Sequence, residues 1–155
     1  MHTRSALLYS FVVYILSFIL GIFGLVIFGY GPELNSVPSE IYLYGIATSI
    51  ILMMIFTRVY FQKSGVKPNS VSGAYFGLAV VAIGFLVDFC IAILPALLSE
   101  NGLDMLAYYS HPLFWANLAI IPVTSAITGS YLQKSSMALP KKTPTKKIAK
   151  KTKKP

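Results

Sequence analysis

The sequence contains few charged residues. Asp, Glu, Lys and Arg together make up 12% of its 155 residues, while apolar residues make up 55%. Because a soluble domain usually carries about a quarter charged residues, this composition excludes an ordinary water-soluble domain. The net charge of +8 describes only the end of the chain, since eight of the thirteen basic residues lie at or after Lys141.

Cysteine is nearly absent, and the usual catalytic motifs are missing. The one cysteine, Cys90, lies in an apolar run. It has no second cysteine with which to form a disulfide or a metal site, so we interpret it as a packing residue. The sequence has no HExxH motif, no Ser–His arrangement and no His or Cys pair within an apolar run. We therefore predict that the protein is not an enzyme and that it holds no metal and no cofactor.

Long apolar runs are what the sequence does have. Four of them predict membrane spans at about residues 5–30, 41–58, 71–98 and 112–132. Each run is long enough to cross a hydrocarbon core of about 30 Å as a helix. The first run exceeds the roughly 7–15 apolar residues of a signal peptide, so we predict that it is a retained span. The predicted fold class is all-α: a polytopic membrane protein with a four-transmembrane-helix bundle over residues 1–134.

The charges between the runs predict the orientation. Basic residues occur before the first run, between the second and third runs, and after the fourth: Arg4, Arg58, Lys63, Lys67, Lys134 and the tail. The other two connections carry only acidic residues: Glu33, Glu40, Glu100 and Asp104. Since basic residues accumulate on the cytoplasmic side, both termini are predicted to be cytoplasmic. A prokaryotic cell membrane is the favoured location. The endoplasmic reticulum is the alternative, because Lys151 and Lys153 stand where a dilysine retrieval signal needs them.

Small and polar residues recur on single faces of the predicted helices. Five glycines are predicted to be helix-packing positions: Gly21, Gly24, Gly73, Gly77 and Gly84. In lipid, such residues let helix backbones approach closely. On the fourth helix, Asn117, Thr124 and Thr128 share one arc and form a candidate polar site.

Asp88 is the only acidic residue inside a predicted span. An acid there costs on the order of 2.5–3.5 kcal/mol on insertion scales, and such residues usually face the bundle interior or a water-filled cavity. Two interpretations remain open. Asp88 either binds a proton, a cation or a substrate amine with help from Asn117, Thr124 or Thr128, or it holds a neighbouring helix through a hydrogen bond in its neutral form.

The last residues differ in composition from the rest. Residues 135–155 alternate paired lysines with Thr, Pro and Ala, which predicts a disordered cytoplasmic tail. Its eight lysines are predicted to bind anionic lipid head groups: Lys141, Lys142, Lys146, Lys147, Lys150, Lys151, Lys153 and Lys154. Each lysine contributes about 1 kcal/mol near such a surface. Nucleic acid is the alternative partner, because attraction to phosphate is equally unspecific.

The second half of the chain resembles small four-helix membrane proteins of bacteria and archaea. Asp88 late in the third run, the pair Tyr108–Tyr109 before the fourth, and Pro122 within the fourth carry this resemblance. It extends from Asp88 to about residue 132 and implies the four-helix fold. These proteins have no assigned activity, so the resemblance implies none. Small multidrug exporters also have four helices, but their acid lies in the first span, where this sequence has none.

Two classes of function follow from the sequence. One is a small transporter, channel-like or ligand-binding bundle with Asp88 in its interior. The other is a non-catalytic structural or accessory membrane protein, whose tail binds anionic lipid, nucleic acid or a cytoplasmic partner. A homo-oligomer or a membrane partner is compatible with either class.

Overall fold

A computed structural model describes residues 3–28, 38–93 and 109–138, and no strand occurs among them. Four long helices make up this part of the chain: α1 (Thr3–Ile27), α2 (Ser39–Ser64), α3 (Ser70–Asp88) and α4 (Pro112–Ala138). A π-helical turn, Phe89–Ile93, continues α3. Each helix contains a stretch long and apolar enough to cross a membrane. The chain is an all-α, multi-pass membrane protein, and the predicted fold class is confirmed.

The four helices form a ring in the order α1–α2–α4–α3. Helix α1 packs against α2 and α3, and α4 packs against the same two helices. Among the described residues, α1 and α4 lie on one diagonal and do not touch, while α2 and α3 touch only slightly across the other. The ring therefore surrounds a central space whose filling differs between its two ends.

Large apolar side chains cover the outside of the ring. Val26 is 74% exposed, Ile127 is 65% exposed, and similar residues occur along all four helices. Hydrocarbon chains solvate such surfaces without penalty, so the inward faces are selected by close packing and by hydrogen bonds rather than by apolar burial.

Helices α3 and α4 approach until their backbones touch. A Cβ atom built on Gly77 would lie 2.5 Å from the Cα of Pro122, and one on Gly73 would overlap the carbonyl oxygen of Ser125. A Cβ atom built on Gly129 of α4 would likewise overlap the carbonyl oxygen of Asn69. Helix α4 continues through Pro122. A larger residue at any of these glycines would force the two helices apart.

Aromatic side chains fill the space between the helices at the end of the bundle where α1 and α3 begin. The rings of Tyr60 and Phe76 stack with centroids 4.6 Å apart, and Tyr9 meets Tyr60 edge-on at 6.5 Å. Met53 and Val80 are buried in the same cluster. We refer to this end as the packed half of the bundle, and to the opposite end as the open half.

A chain of hydroxyl groups joins three helices within the packed half. The Oγ atom of Ser125 donates a hydrogen bond of 2.7 Å to the carbonyl oxygen of Gly73, and it lies 2.8 Å from Oγ1 of Thr57. Ser125 has one hydroxyl hydrogen, which the carbonyl takes, so Thr57 is the donor to Ser125. Both hydroxyl residues are fully buried. The chain therefore satisfies its own polar groups while it connects α2, α4 and α3.

Two helix ends differ from the sequence prediction. Helix α2 continues past residue 58 to Ser64, because Tyr60 and Phe61 are still buried, and it ends at Gly65 in the left-handed region with φ 67°. Helix α4 continues past 134 to Ala138, so residues 135–138 are helical and not part of a disordered tail. Nothing in that stretch breaks a helix before Pro140. The boundary was predicted at 134 because Lys134 is the first charged residue after the fourth apolar run. A lysine there indicates the membrane surface and not the end of the helix.

The rest of the predicted tail, including all eight lysines, lies outside the described residues. So do the end of the third predicted span, residues 94–98, and Gly29 and Tyr30 at the end of the first.

Candidate functional site

A cavity of about 550 Å³ lies in the open half of the bundle. All four helices contribute to its wall, together with Tyr109 just before α4. Most of the lining is apolar or aromatic, and Asp88 is the only acidic side chain that the described residues contribute to it. A volume of this size falls within the range of roughly 300–1,000 Å³ that small-molecule sites occupy.

Asp88 lies at the last position of α3 and is half-buried. The Tyr14 hydroxyl on α1 donates a hydrogen bond of 2.7 Å to Oδ1 of Asp88. No described residue donates to the second carboxyl oxygen, Oδ2, and no described Lys, Arg or His forms an ion pair with the carboxyl group. The carboxylate therefore enters the cavity with one hydrogen bond and without a counter-ion.

The local sequence explains how Tyr14 reaches Asp88. Gly84 stands one helical turn before Asp88 on the same face of α3. A Cβ atom on Gly84 would lie 3.6 Å from the Tyr14 ring, so the ring lies over the bare backbone and its hydroxyl extends to the next turn. The π-helical turn begins directly after Asp88. Such turns are rare and frequently occur at functional sites.

Asn117 of α4 also lines the cavity, where the other polar side chains besides Asp88 are the hydroxyl groups of Ser, Thr and Tyr residues. Its Oδ1 atom is buried and has no hydrogen-bond partner among the residues that the structure describes. Its Nδ2 atom would lie 3.7 Å from a Cβ atom on Gly45 of α2, which is an ordinary van der Waals contact. An unpaired buried polar atom costs roughly 1–3 kcal/mol. A water or a ligand that donates to this oxygen would remove that cost.

Aromatic side chains share the cavity wall with Asp88 and Asn117. Tyr44, Phe85, Tyr109 and Phe114 all line the cavity. Burial, and to a smaller extent the charge of Asp88, raises the pKa of Tyr109 above its ordinary value of 10.0. Tyr109 therefore keeps its proton at neutral pH and presents a neutral hydroxyl and ring.

Gly21 differs from the packing role predicted for it. It lines the cavity, and a Cβ atom there would meet nothing within 4 Å. The absence of a side chain at Gly21 enlarges the cavity. This glycine does not serve a close contact between helices. Gly24, one turn later, lies against the Tyr44 ring, with 2.7 Å between its would-be Cβ atom and Cδ1.

Thr124 and Thr128 lie away from Asp88. Both line a separate groove of about 440 Å³ between α2 and α4 that shares no residue with the cavity. The Thr128 hydroxyl donates a hydrogen bond of 2.9 Å to the carbonyl oxygen of Thr124, so its donor is satisfied within its own helix. Of the four polar residues predicted to form one site, the structure brings together Asp88 and Asn117 and separates the two threonines from them.

No known family model, curated protein or solved structure matches this chain. Its function is therefore inferred from the cavity and its charges. The described residues contain no group of three His, Cys, Asp or Glu side chains that could hold a metal ion.

Sequence reasoning did not identify Tyr14 as the partner of Asp88. The helical period places Tyr14 on the inward face of α1 with Gly21 and Gly24, and that signal was available. The pairing itself joins residues 74 positions apart on α1 and α3. It depends on the order of the helices in the ring, which the sequence pattern does not specify.

Proposed function

We propose that this protein is a small transporter-like or ligand-binding membrane bundle whose cavity binds an organic cation at Asp88. The observation that carries this proposal is a carboxyl group for which the described part of the chain supplies no counter-ion, in a cavity lined mostly by aromatic and apolar groups. Burying a charge is costly unless it is paired. A proton or a bound cation supplies the missing partner, and the size of the cavity favours an organic cation over a bare metal ion.

The aromatic wall supports the same class of ligand. The faces of tyrosine and phenylalanine rings attract ammonium groups by about 0.5–2 kcal/mol, with the larger values in desolvated sites. The unpaired Oδ1 atom of Asn117 accepts a hydrogen bond from an amine N–H or from a ligand hydroxyl. An amine with an apolar body matches the carboxylate, the amide oxygen and the rings together.

The charge distribution supports an orientation for the cavity. The five described basic residues all lie toward the packed end of the bundle: Arg4, Arg58, Lys63, Lys67 and Lys134. Under the positive-inside rule this end faces the cytoplasm, both termini are cytoplasmic, and the cavity lies in the outer half of the bilayer. We place the protein in a prokaryotic cell membrane, with the endoplasmic reticulum as the alternative.

Binding of a quaternary ammonium probe tests the proposal. Phenylpropyl-trimethylammonium keeps its charge at every pH, so any pH dependence of its binding comes from the protein. With the full chain in detergent, calorimetry should give weaker binding as the pH falls and Asp88 takes up a proton. Asp88→Asn should weaken binding at least about tenfold, or about 1.4 kcal/mol, since the variant removes the coulombic attraction between the carboxylate and the fixed charge of the probe.

A cavity-filling pair of variants provides the control. Gly21→Leu extends a side chain into open cavity space, and we expect it to abolish probe binding while the helices stay packed. Ala116→Leu introduces the same side chain at an exposed position of α4 outside the cavity and should leave binding unchanged. Equal affinity in wild type, Asp88→Asn and Gly21→Leu would refute the proposed function.

A further inference from the structure

The groove between α2 and α4 is a second candidate site, and it lies in the packed half of the bundle. Ile50, Met54 and Arg58 line it from α2 at intervals of one turn. Helix α4 contributes Ile127 and Tyr131 beside the two threonines described above. Its volume is about 440 Å³, and its lining is largely apolar. The Thr128 hydroxyl is already hydrogen-bonded within its own helix.

Arg58 is the only charged residue among the described residues that line the groove. It is exposed, and no described acidic residue forms an ion pair with it. The acidic residues that the structure describes are Glu40 and Asp88, and both belong to the open half. A guanidinium group beside an apolar groove matches a ligand that has an anionic head and a hydrocarbon chain. Arginine binds phosphate in a bidentate manner, which makes it well suited to such a head group.

The dimensions of the groove match one leaflet. From Ile50 to Arg58 the α2 wall rises about 12 Å, and half of a hydrocarbon core is about 15 Å thick. Tyr131 is 67% exposed beside the groove, near the basic end of the bundle, where amphipathic rings prefer the interface. A lipid whose phosphate meets Arg58 would extend its acyl chain along Met54 and Ile50 toward the bilayer centre.

We propose that this groove binds one anionic phospholipid of the leaflet on the basic side, with its phosphate on Arg58 and an acyl chain between α2 and α4. This site is independent of the cavity and of its proposed ligand. It differs from the general lipid annulus in two respects that can be measured: one lipid is retained per chain, and the head-group charge decides which lipid is retained.

Native mass spectrometry of the full chain tests this site. The protein is titrated with dioleoyl phosphatidylglycerol and, separately, with dioleoyl phosphatidylcholine. We expect one phosphatidylglycerol to bind at least about tenfold more tightly than phosphatidylcholine. Arg58→Gln should remove that preference. Lys67→Gln removes the same charge from the same end of the bundle outside the groove, and should keep the preference. Because both variants retain the lysine-rich tail, binding to the tail cancels in the comparison.

A groove-filling pair of variants separates the apolar contact from the charge. Ile127 is 65% exposed in the groove, so Ile127→Trp occupies it without disturbing the interior and should weaken binding of both lipids. Ile55→Trp makes the same change at an exposed position outside the groove and should have no effect.

Four results would overturn the proposed site. Equal binding of the two lipids, or equal effects of Arg58→Gln and Lys67→Gln, would reduce it to general charge attraction. Competition by glycerol phosphate at the lipid's own affinity would show a phosphate site without an acyl chain. A dimer that Ile127→Trp dissociates would show that a second copy occupies the groove.

Discussion

The bond between Tyr14 and Asp88 joins helices that begin far apart in the sequence, and its energy can be measured. Asp88→Asn keeps an oxygen acceptor for the Tyr14 hydroxyl, so its unfolding free energy should stay close to that of wild type. Asp88→Leu and Tyr14→Phe should each cost up to roughly 1–2 kcal/mol. The double variant should cost no more than the larger single one, because both remove the same bond. Equilibrium unfolding in mixed micelles measures all four, and additive costs would contradict a direct coupling.

The glycines of α3 and α1 provide a matched comparison at the level of single residues. Gly73→Ala places a methyl group against the backbone of Ser125, which cannot move without displacing α4. We expect a loss of about 1–3 kcal/mol, as for overpacked interiors. Gly21→Ala adds the same methyl group to open space and should change the stability by less than about 0.5 kcal/mol. Since helix propensity favours Ala over Gly at both positions, equal losses in the two variants would mean that the close approach of α3 and α4 does not set the cost.

The hydrogen bonds of Ser125 help to hold α4 against α2 and α3. Ser125→Ala removes the acceptor for Thr57 and the donor to the carbonyl of Gly73 in one step. We expect a loss of roughly 0.6–1.7 kcal/mol, the range measured for hydrogen bonds between membrane helices. Ser136→Ala, at an exposed position on the same helix, is the control and should be nearly neutral. An unchanged unfolding midpoint for Ser125→Ala would show that packing alone holds α2, α3 and α4 together.

The elements were predictable to different degrees from the sequence. Hydropathy alone predicts four helices, because each run is long and apolar. The inward position of Asp88 followed from its place among the glycines of α3. The ends of α2 and α4 were predicted too early, because Arg58 and Lys134 mark the water interface while the backbone continues as a helix. Thr124 and Thr128 were grouped with Asp88 because they share an arc of α4 with Asn117. Their depth was predictable as well, since a rise of 1.5 Å per residue places them about 10 and 16 Å from Asn117 along the helix.

For the whole molecule, the distribution of charge predicts which loops can be labelled. With Cys90 replaced by Ala, single cysteines at Glu33 or Asp104 should react with impermeant reagents added outside intact cells. Cysteines at Lys67 or Ser136 should react only after the membrane is opened. Labelling of the Lys67 position from outside would reverse the orientation and would place the cavity in the inner half of the bilayer.

The position of the sole tryptophan provides an optical reporter for the cavity. The Trp115 ring centroid lies 6.1 Å from that of Phe85 and 5.5 Å from that of Phe114, and both phenylalanines line the cavity. Trp115 itself is 54% exposed on the outer surface of α4. A ligand that shifts either phenylalanine changes the surroundings of the indole, and with them the wavelength and intensity of its fluorescence. Because the chain has no other tryptophan, we expect the intrinsic fluorescence of the natural protein to change when the proposed ligand binds, without an attached dye.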